Sequence, residues 1–224
     1  QSLSWHVSTA EAVQIQKKLS QQVLLKPLPA GVQSVAGIDV SYDRGSDRFY
    51  SGIVALSFPS LQIMETVTAS ARVTFPYIPG FLSFREGPVV MEAFKKLNTK
   101  PQLLVFDGQG IAHPRRLGIA SHMGVILGIP SLGCAKSRLC GEYEEPGIEK
   151  GDFSPLTMNG EEVGVVLRSK SKVKPLFVSP GHLIDMKGSR EMVLALAGKY
   201  RLPEATRQAH LLVNRARLEK GNRS

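Results

Sequence analysis

The stretch Leu-Leu-Val-Phe-Asp at 103–107 constrains this chain more than any other. Four consecutive apolar residues leave no wet face, so they predict a strand buried on both sides, of the kind found in parallel sheets covered by helices. Asp107 closes the run, and glycines at 108 and 110 let backbone approach a neighbour closely. In open α/β sheets ligands gather at the carboxyl ends of strands, which is where this carboxylate is expected. His113, Arg115 and Arg116 follow at once and supply donors for an anionic group such as phosphate. Asp and Gly are also ordinary turn residues. A plain turn, however, leaves the clustered His and two Arg unexplained.

The formal charge of +9 over 224 residues favours a polyanionic partner, either nucleic acid or an anionic membrane surface. The excess is concentrated at the end, where residues 187–224 hold nine Lys/Arg against three Glu. No apolar run reaches the roughly 18 residues needed to span a bilayer, and no signal-peptide pattern opens the chain. A membrane-surface protein would need a strongly basic amphipathic anchor, which is missing. Cys134 and Cys140 are too few for a disulfide framework and sit in no zinc-ligand spacing. The expectation is an intracellular, reduced, cytoplasmic protein forming one domain over 1–224 and acting as a monomer.

Along the chain, Ser8 stands three residues before Glu11 as a capping box, and Ala12, Ile15, Leu19 and Val23 recur at helical spacing. A first helix is predicted from Thr9 to Leu24, ended by Pro27 and Pro29. Strands at 35–42, 49–58 and 61–74 are expected to form an antiparallel meander, with 43–48 as a hairpin turn. Phe-Pro-Tyr-Ile-Pro-Gly at 75–80 interrupts regular structure. A helix is predicted over 85–97 with Pro88 in its first turn, then the strand 103–106, a helix over 117–127 and a strand at 129–134. The stretch 141–155 reads as loop. Strands at 162–168 and 176–179 flank a basic turn, and helices near 188–198 and 204–218 close the chain. This order implies a mixed sheet flanked by helices.

Asp39 lies in the middle of the first strand, sharing its face with Gly37 and Ser41. A carboxylate there needs a cation or hydrogen-bond donors, or a local Arg or water. Glu86 is also what a helix start favours for dipole reasons alone. Taken together, Asp39 on the first strand, Glu86 after the third and Asp107 ending the next suit a hard cation such as Mg²⁺. Such an ion can activate water for in-line displacement at phosphorus. A basic chain with this cluster reads most economically as a phosphodiesterase acting on nucleic acid, and no P-loop supports nucleotide hydrolysis of that kind.

The chain resembles the endonuclease V family, the deoxyinosine 3′ endonucleases. The resemblance is carried by Gly-Ile-Asp-Val-Ser-Tyr (37–42), Phe-Pro-Tyr-Ile-Pro-Gly (75–80), Phe-Arg-Glu-Gly-Pro (84–88) and Val-Phe-Asp-Gly-Gln-Gly (105–110). His-Pro-Arg-Arg-Leu-Gly (113–118), Ala-Lys-Ser-Arg-Leu (135–139), Ser-Pro-Gly-His (179–182) and Leu-Pro-Glu-Ala-Thr-Arg (202–207) extend it. It implies a ribonuclease H-like fold, with Asp39, Glu86 and Asp107 binding catalytic Mg²⁺, or Mn²⁺ in its place. It places His210 at the same site, as a metal ligand or as a group that orients water, and Lys136 beside the scissile phosphate.

The resemblance also implies that Pro76, Tyr77, Ile78 and Pro79 form a wedge that enters the DNA helix, although Tyr77 packed on the core would fit the same spacing. Gly80, Leu82, Gly108 and Ile119 would line the pocket for the flipped hypoxanthine. The implied activity is cleavage of deoxyinosine-containing DNA on the 3′ side of the lesion, leaving a 3′-hydroxyl and a 5′-phosphate. An inosine-directed endoribonuclease is the alternative, and a non-catalytic nucleic-acid-binding module of the same fold is a second.

Overall fold

The computed structural model describes residues 4–221. Its frame is an eight-stranded sheet, which among the described residues accounts for every named strand. The strands are β1 (Ser34–Tyr42), β2 (Arg48–Ser57), β3 (Ile63–Arg72), β4 (Leu103–Phe106), β5 (Ser131–Ala135), β6 (Phe153–Met158), β7 (Glu161–Leu167) and β8 (Leu176–His182). Their spatial order is β3-β2-β1-β4-β5-β8-β7-β6. β1, β4 and β5 run parallel at the centre, and the antiparallel meander β1–β3 adds one wing. β8, β7 and β6 add the other, again antiparallel.

Four helices cover the sheet, α2 (Leu82–Phe94), α3 (Ile119–Leu127), α4 (Met186–Leu196) and α5 (Glu204–Gly221), and α1 (Thr9–Ser20) packs against α3. On one face Ala36, Ile38, Leu104 and Phe106 pack against Val89 and Val90 of α2 and Met123 of α3. On the other, Val35, Leu103 and Val105 meet Val193 of α4 and Ala205 and Ala209 of α5. The run 103–106 is buried at every residue, because both of its faces are covered. The result is a mixed α/β sheet of ribonuclease H-like form.

Several bounds shift from the sequence reading, and three of the differences have a clear physical cause. α1 stops at Ser20 instead of Leu24, since the Leu24 backbone is taken up by tertiary bonds. Its N–H donates to His182 Nδ1 at 3.1 Å and its carbonyl accepts from Leu183 N–H at 2.7 Å. α2 begins three residues earlier than expected, so Pro88 falls inside the helix and not in its first turn. The third difference is β6, assigned to loop in part because Pro155 lies within it. Proline is tolerated on an edge strand, where one side of the backbone needs no ladder partner, and β6 is an edge. The capping box at Ser8 is present: Ser8 N–H donates to Glu11 Oε2 at 2.7 Å, and Glu11 N–H donates to Ser8 Oγ at 3.2 Å.

Helix α5 lies directly on β1 and β2, close enough to require glycine beneath it. A Cβ on Gly37 would stand 2.0 Å from the Ala205 carbonyl oxygen. Gly37→Ala should therefore lift α5 from the sheet, at a cost on the order of 3 kcal/mol. A urea midpoint equal to that of the parent protein would contradict this packing.

Candidate metal and nucleic-acid site

Strand register brings the two central aspartates together. In the parallel pair β1–β4, Ile38 lies opposite Phe106, so the next residues stand side by side, Asp107 just past the end of β4 and Asp39 still within β1. The odd residues of both strands, Val35, Leu103 and Val105, face α5, and so Asp39 and Asp107 turn to that face too. There the first turns of α5 deliver His210. One ligand atom each from Asp39, Asp107 and His210 lies within 4.8 Å of the others. Lys136, just past the end of β5, bonds through Nζ to Asp107 Oδ2 at 2.8 Å. Glu86 of α2 is not in the tight trio, but it lies near enough to feel the charge of both aspartates.

The electrostatics follow from crowding acids at a buried strand end. Asp39 is 8% exposed, and burial, followed by the neighbouring Asp107 charge, raises its pKa to about 6. Glu86 is held well above the usual carboxylate range by burial first, then by Asp39 and Asp107. Asp107 raises the cost of ionising both Asp39 and Glu86, and Asp39 that of Glu86, and such a cluster suits a small multivalent cation, which offsets the repulsion. The donor set, carboxylate oxygens with one imidazole nearby, fits Mg²⁺ or Mn²⁺.

His210 is oriented by a directional chain of hydrogen bonds. Arg217 Nε–H donates to Ser41 Oγ at 2.9 Å, and the Ser41 hydroxyl donates to Asn214 Oδ1 at 2.8 Å. The Asn214 amide then donates to His210 Nε2 at 3.1 Å, which leaves Nδ1–H to donate to Asp39 Oδ2 at 2.8 Å. With both ring nitrogens engaged, the imidazole steers Asp39 and offers no free lone pair in this arrangement. Val40 N–H bonds the other Asp39 oxygen at 2.9 Å.

Beside the acids opens a pocket of about 390 Å³, within the usual range for small-molecule clefts of roughly 300–1,000 Å³. Gly80, Leu82, Gly108 and Ile119 all line it, together with Asp107 and Lys136. Tyr77, Ile78 and Pro79 make its rim, with Pro76 preceding them. Tyr77 is 69% exposed, which excludes the core position that its spacing also allowed.

His113, Arg115 and Arg116, expected to bind phosphate, bond protein groups in the structure, and His113 also lines the pocket. His113 is buried, and its Nε2 bonds the Gly80 carbonyl at 2.8 Å. Arg115 bonds the same carbonyl through Nη2 at 2.9 Å, and Arg116 pairs with Glu161 at 2.9 Å. His113 and Arg115 brace the loop at Gly80, and Arg116 Nη2 ties to the β6–β7 hairpin while its Nη1 is buried without a partner. Sequence reasoning missed Gln16, the fourth member of this group. It lies fully buried on α1, and its signal was a polar residue beside the apolar stripe of Ala12, Ile15 and Leu19. His182 is the last residue of β8, and Cys134 and Cys140 are free thiols.

Against known proteins, the endonuclease V family profile matches residues 16–211. The endonuclease V of Nostoc punctiforme is 49% identical over 212 residues, covering 94% of this chain and 96% of that one. The chain belongs to the endonuclease V family. The crystal structure of the endonuclease V from Streptomyces avermitilis superposes with a TM-score of 0.92 at 43% identity, covering 98% of this chain and 96% of that one. A Ciona intestinalis endonuclease V, 28% identical with a TM-score of 0.82, covers 95% of this chain and 99% of its own. It was solved with a 23mer DNA containing an inosine followed by a ribo-adenosine. As a member of the endonuclease V family, this chain is a nuclease, a hydrolase of phosphodiester bonds.

Two buried histidines give the endonuclease V fold an acid-sensitive stability. Burial lowers His113 to about 4 and His122 to about 3. Above the unfolded value near 6.5 neither state is protonated at these rings and they cost nothing. As pH falls below it, the unfolded chain takes up the protons first, and stability is lost until the folded pKa is reached. His113 alone should contribute a loss on the order of 3 kcal/mol by pH 4. In urea unfolding between pH 7.5 and 5 the parent should lose stability relative to His122→Phe, a comparison in which the opposite contributions of the raised Asp39 and Glu86 are common to both proteins and cancel. An identical slope in that variant would contradict the assignment.

Proposed function

We propose that this chain is a DNA repair endonuclease that recognises deaminated adenine, deoxyinosine, and hydrolyses the second phosphodiester bond on its 3′ side. The products are a 3′-hydroxyl and a 5′-phosphate, as expected of water attack without a covalent protein intermediate. The observation that carries the reading is the adjacency of the acidic strand ends to a base-sized pocket with an exposed aromatic at its rim. The inosine-containing DNA in the Ciona intestinalis complex supports the choice of substrate.

Asp39, Asp107 and Glu86 would hold the divalent cation, Mg²⁺ or Mn²⁺. When bound, such an ion supplies Lewis-acid activation of water and charge neutralisation at the phosphate. The chain's own residues do the rest. His210, held by Asn214, donates its Nδ1 proton to Asp39 and keeps that carboxylate ionised and oriented. Lys136 lines the pocket with its ammonium 2.8 Å from Asp107, where a scissile phosphate oxygen would meet it. Pro76 and Pro79 stiffen the segment that presents Tyr77, whose ring can replace the stacking of an extruded base. The guanidinium of Arg85 lies 5.7 Å from the centre of that ring and steadies it. Gly80, Leu82, Gly108 and Ile119 then enclose the base.

The basic excess supplies non-specific phosphate affinity, so binding to undamaged DNA should weaken with salt. All of these groups come from one chain, which supports action as a monomer and single domain, and two free thiols fit a cytoplasmic setting. Among the described residues no helix is long and apolar enough to cross a membrane. The inosine-directed endoribonuclease is the second reading, favoured by the ribonucleotide after the inosine in the Ciona intestinalis complex. The 2′-hydroxyl separates the two.

The test is cleavage of matched inosine- and adenosine-containing DNA and RNA, with Mg²⁺ or with EDTA. The prediction is a Mg²⁺-dependent nick in inosine DNA, lost in Asp39→Ala by more than a hundredfold while DNA binding persists. Equal cutting of inosine and adenosine strands, or full activity of Asp39→Ala, would overturn the reading.

A further inference from the structure

One backbone carbonyl, that of Gly80, receives three donors from two distant parts of the chain. Gln16 Nε2 reaches it from α1 at 2.8 Å, His113 Nε2 at 2.8 Å, and Arg115 Nη2 at 2.9 Å. The tautomer of His113 is set, because its Nδ1 accepts from Arg115 N–H at 3.0 Å, so Nε2 carries the proton. A carbonyl oxygen has two lone pairs, and three convergent donors over-determine its position. The donors are themselves tied: Arg115 Nε–H donates to Gln16 Oε1, and the guanidinium lies 4.5 Å from the centre of the Phe81 ring. On the far side of the same peptide, Phe81 N–H donates to the Ile78 carbonyl at 3.1 Å.

The position being fixed is the junction between the pocket rim and helix α2. Gly80 has φ +83°, a conformation that only glycine adopts without strain, and a Cβ there would stand 2.8 Å from Arg115 Nη2. Immediately before it come Tyr77, Ile78 and Pro79 at the pocket rim, and immediately after it α2 begins, the helix that carries Glu86. A buried carboxamide such as Gln16 is costly unless bonded, and α1 already docks through Ala12 and Leu19 without it.

We propose that Gln16 is a positioning residue for base discrimination: through the Gly80 carbonyl, helix α1 sets the placement of the Tyr77 rim relative to the pocket. This rests on the reading of the pocket and rim as the site of the extruded base. Gln16 touches neither base nor phosphate. It acts by keeping the rim in one arrangement before DNA arrives, so that an extruded normal base meets a pocket that cannot reshape to accept it.

Two variants test this. Gln16→Glu replaces the donor to Gly80 with an acceptor oxygen and keeps a partner for Arg115, whereas Gln16→Met keeps the volume and removes both bonds. Three quantities are read on each, beside the parent protein: the ratio of cleavage rates on inosine and adenosine duplexes, amide exchange over residues 77–81, and the melting temperature. The proposal expects the ratio to fall about tenfold, the equivalent of one buried hydrogen bond. Exchange at 77–81 should quicken, and affinity for undamaged DNA should stay at the parent value. A lowered melting temperature with an unchanged ratio in either variant would make Gln16 a packing residue only and overturn the proposal. A parent protein that cuts both duplexes alike would overturn the functional reading itself, a separate outcome.

Discussion

The structure turns on the parallel pairing of β1 with β4, which sets two carboxylates side by side where β4 ends. Ile38 opposite Phe106 fixes the register, and a slip of one residue would send either aspartate to the opposite face of the sheet. Both strands are buried on two faces, so that slip would also carry apolar side chains into the wrong layer. The hydrophobic core thus enforces the geometry of the acidic site. The cost is a pair of like charges at a half-dry location, visible in the raised pKa of Asp39 and of Glu86.

Everything around this pair answers that cost or uses it. Lys136 offsets Asp107, and His210 is turned toward Asp39 by the chain from Arg217 through Ser41 and Asn214. Helix α5 can bring His210 this close because Gly37 and Gly52 clear the sheet surface beneath it. α2 approaches from the opposite layer with Glu86, and its start is braced at Gly80 by α1. Both helical layers therefore converge on one end of the central strands, which is where an α/β sheet places its ligands.

Much of this was legible in the residues themselves. The run 103–106 announced a doubly buried strand, Asp39 stood out as a carboxylate amid apolar neighbours, and the motifs at 37–42, 75–80 and 105–110 named the family. What escaped were features decided by tertiary contact. Pro155 argued against β6 because edge position is not written in local sequence. His113, Arg115 and Arg116 looked like free donors, since nothing nearby in sequence reveals that the Gly80 carbonyl and Glu161 take them. Gln16 passed as a helix residue because its partners are 64 and 99 positions away. His210 was placed at the site by resemblance, but its role depends on Asn214 capping one nitrogen, a bond only the folded helix discloses.

The central claim is that the strand-end acids form a divalent-cation site with His210 as its orienting partner. Anomalous diffraction from crystals grown with Mn²⁺ tests it most directly. The account predicts a peak between the carboxylates of Asp39 and Asp107, with His210 still bonded to Asp39 and absent from the ion's coordination. A peak elsewhere on the chain, or one ligated by His210 with Asn214 released, would contradict it.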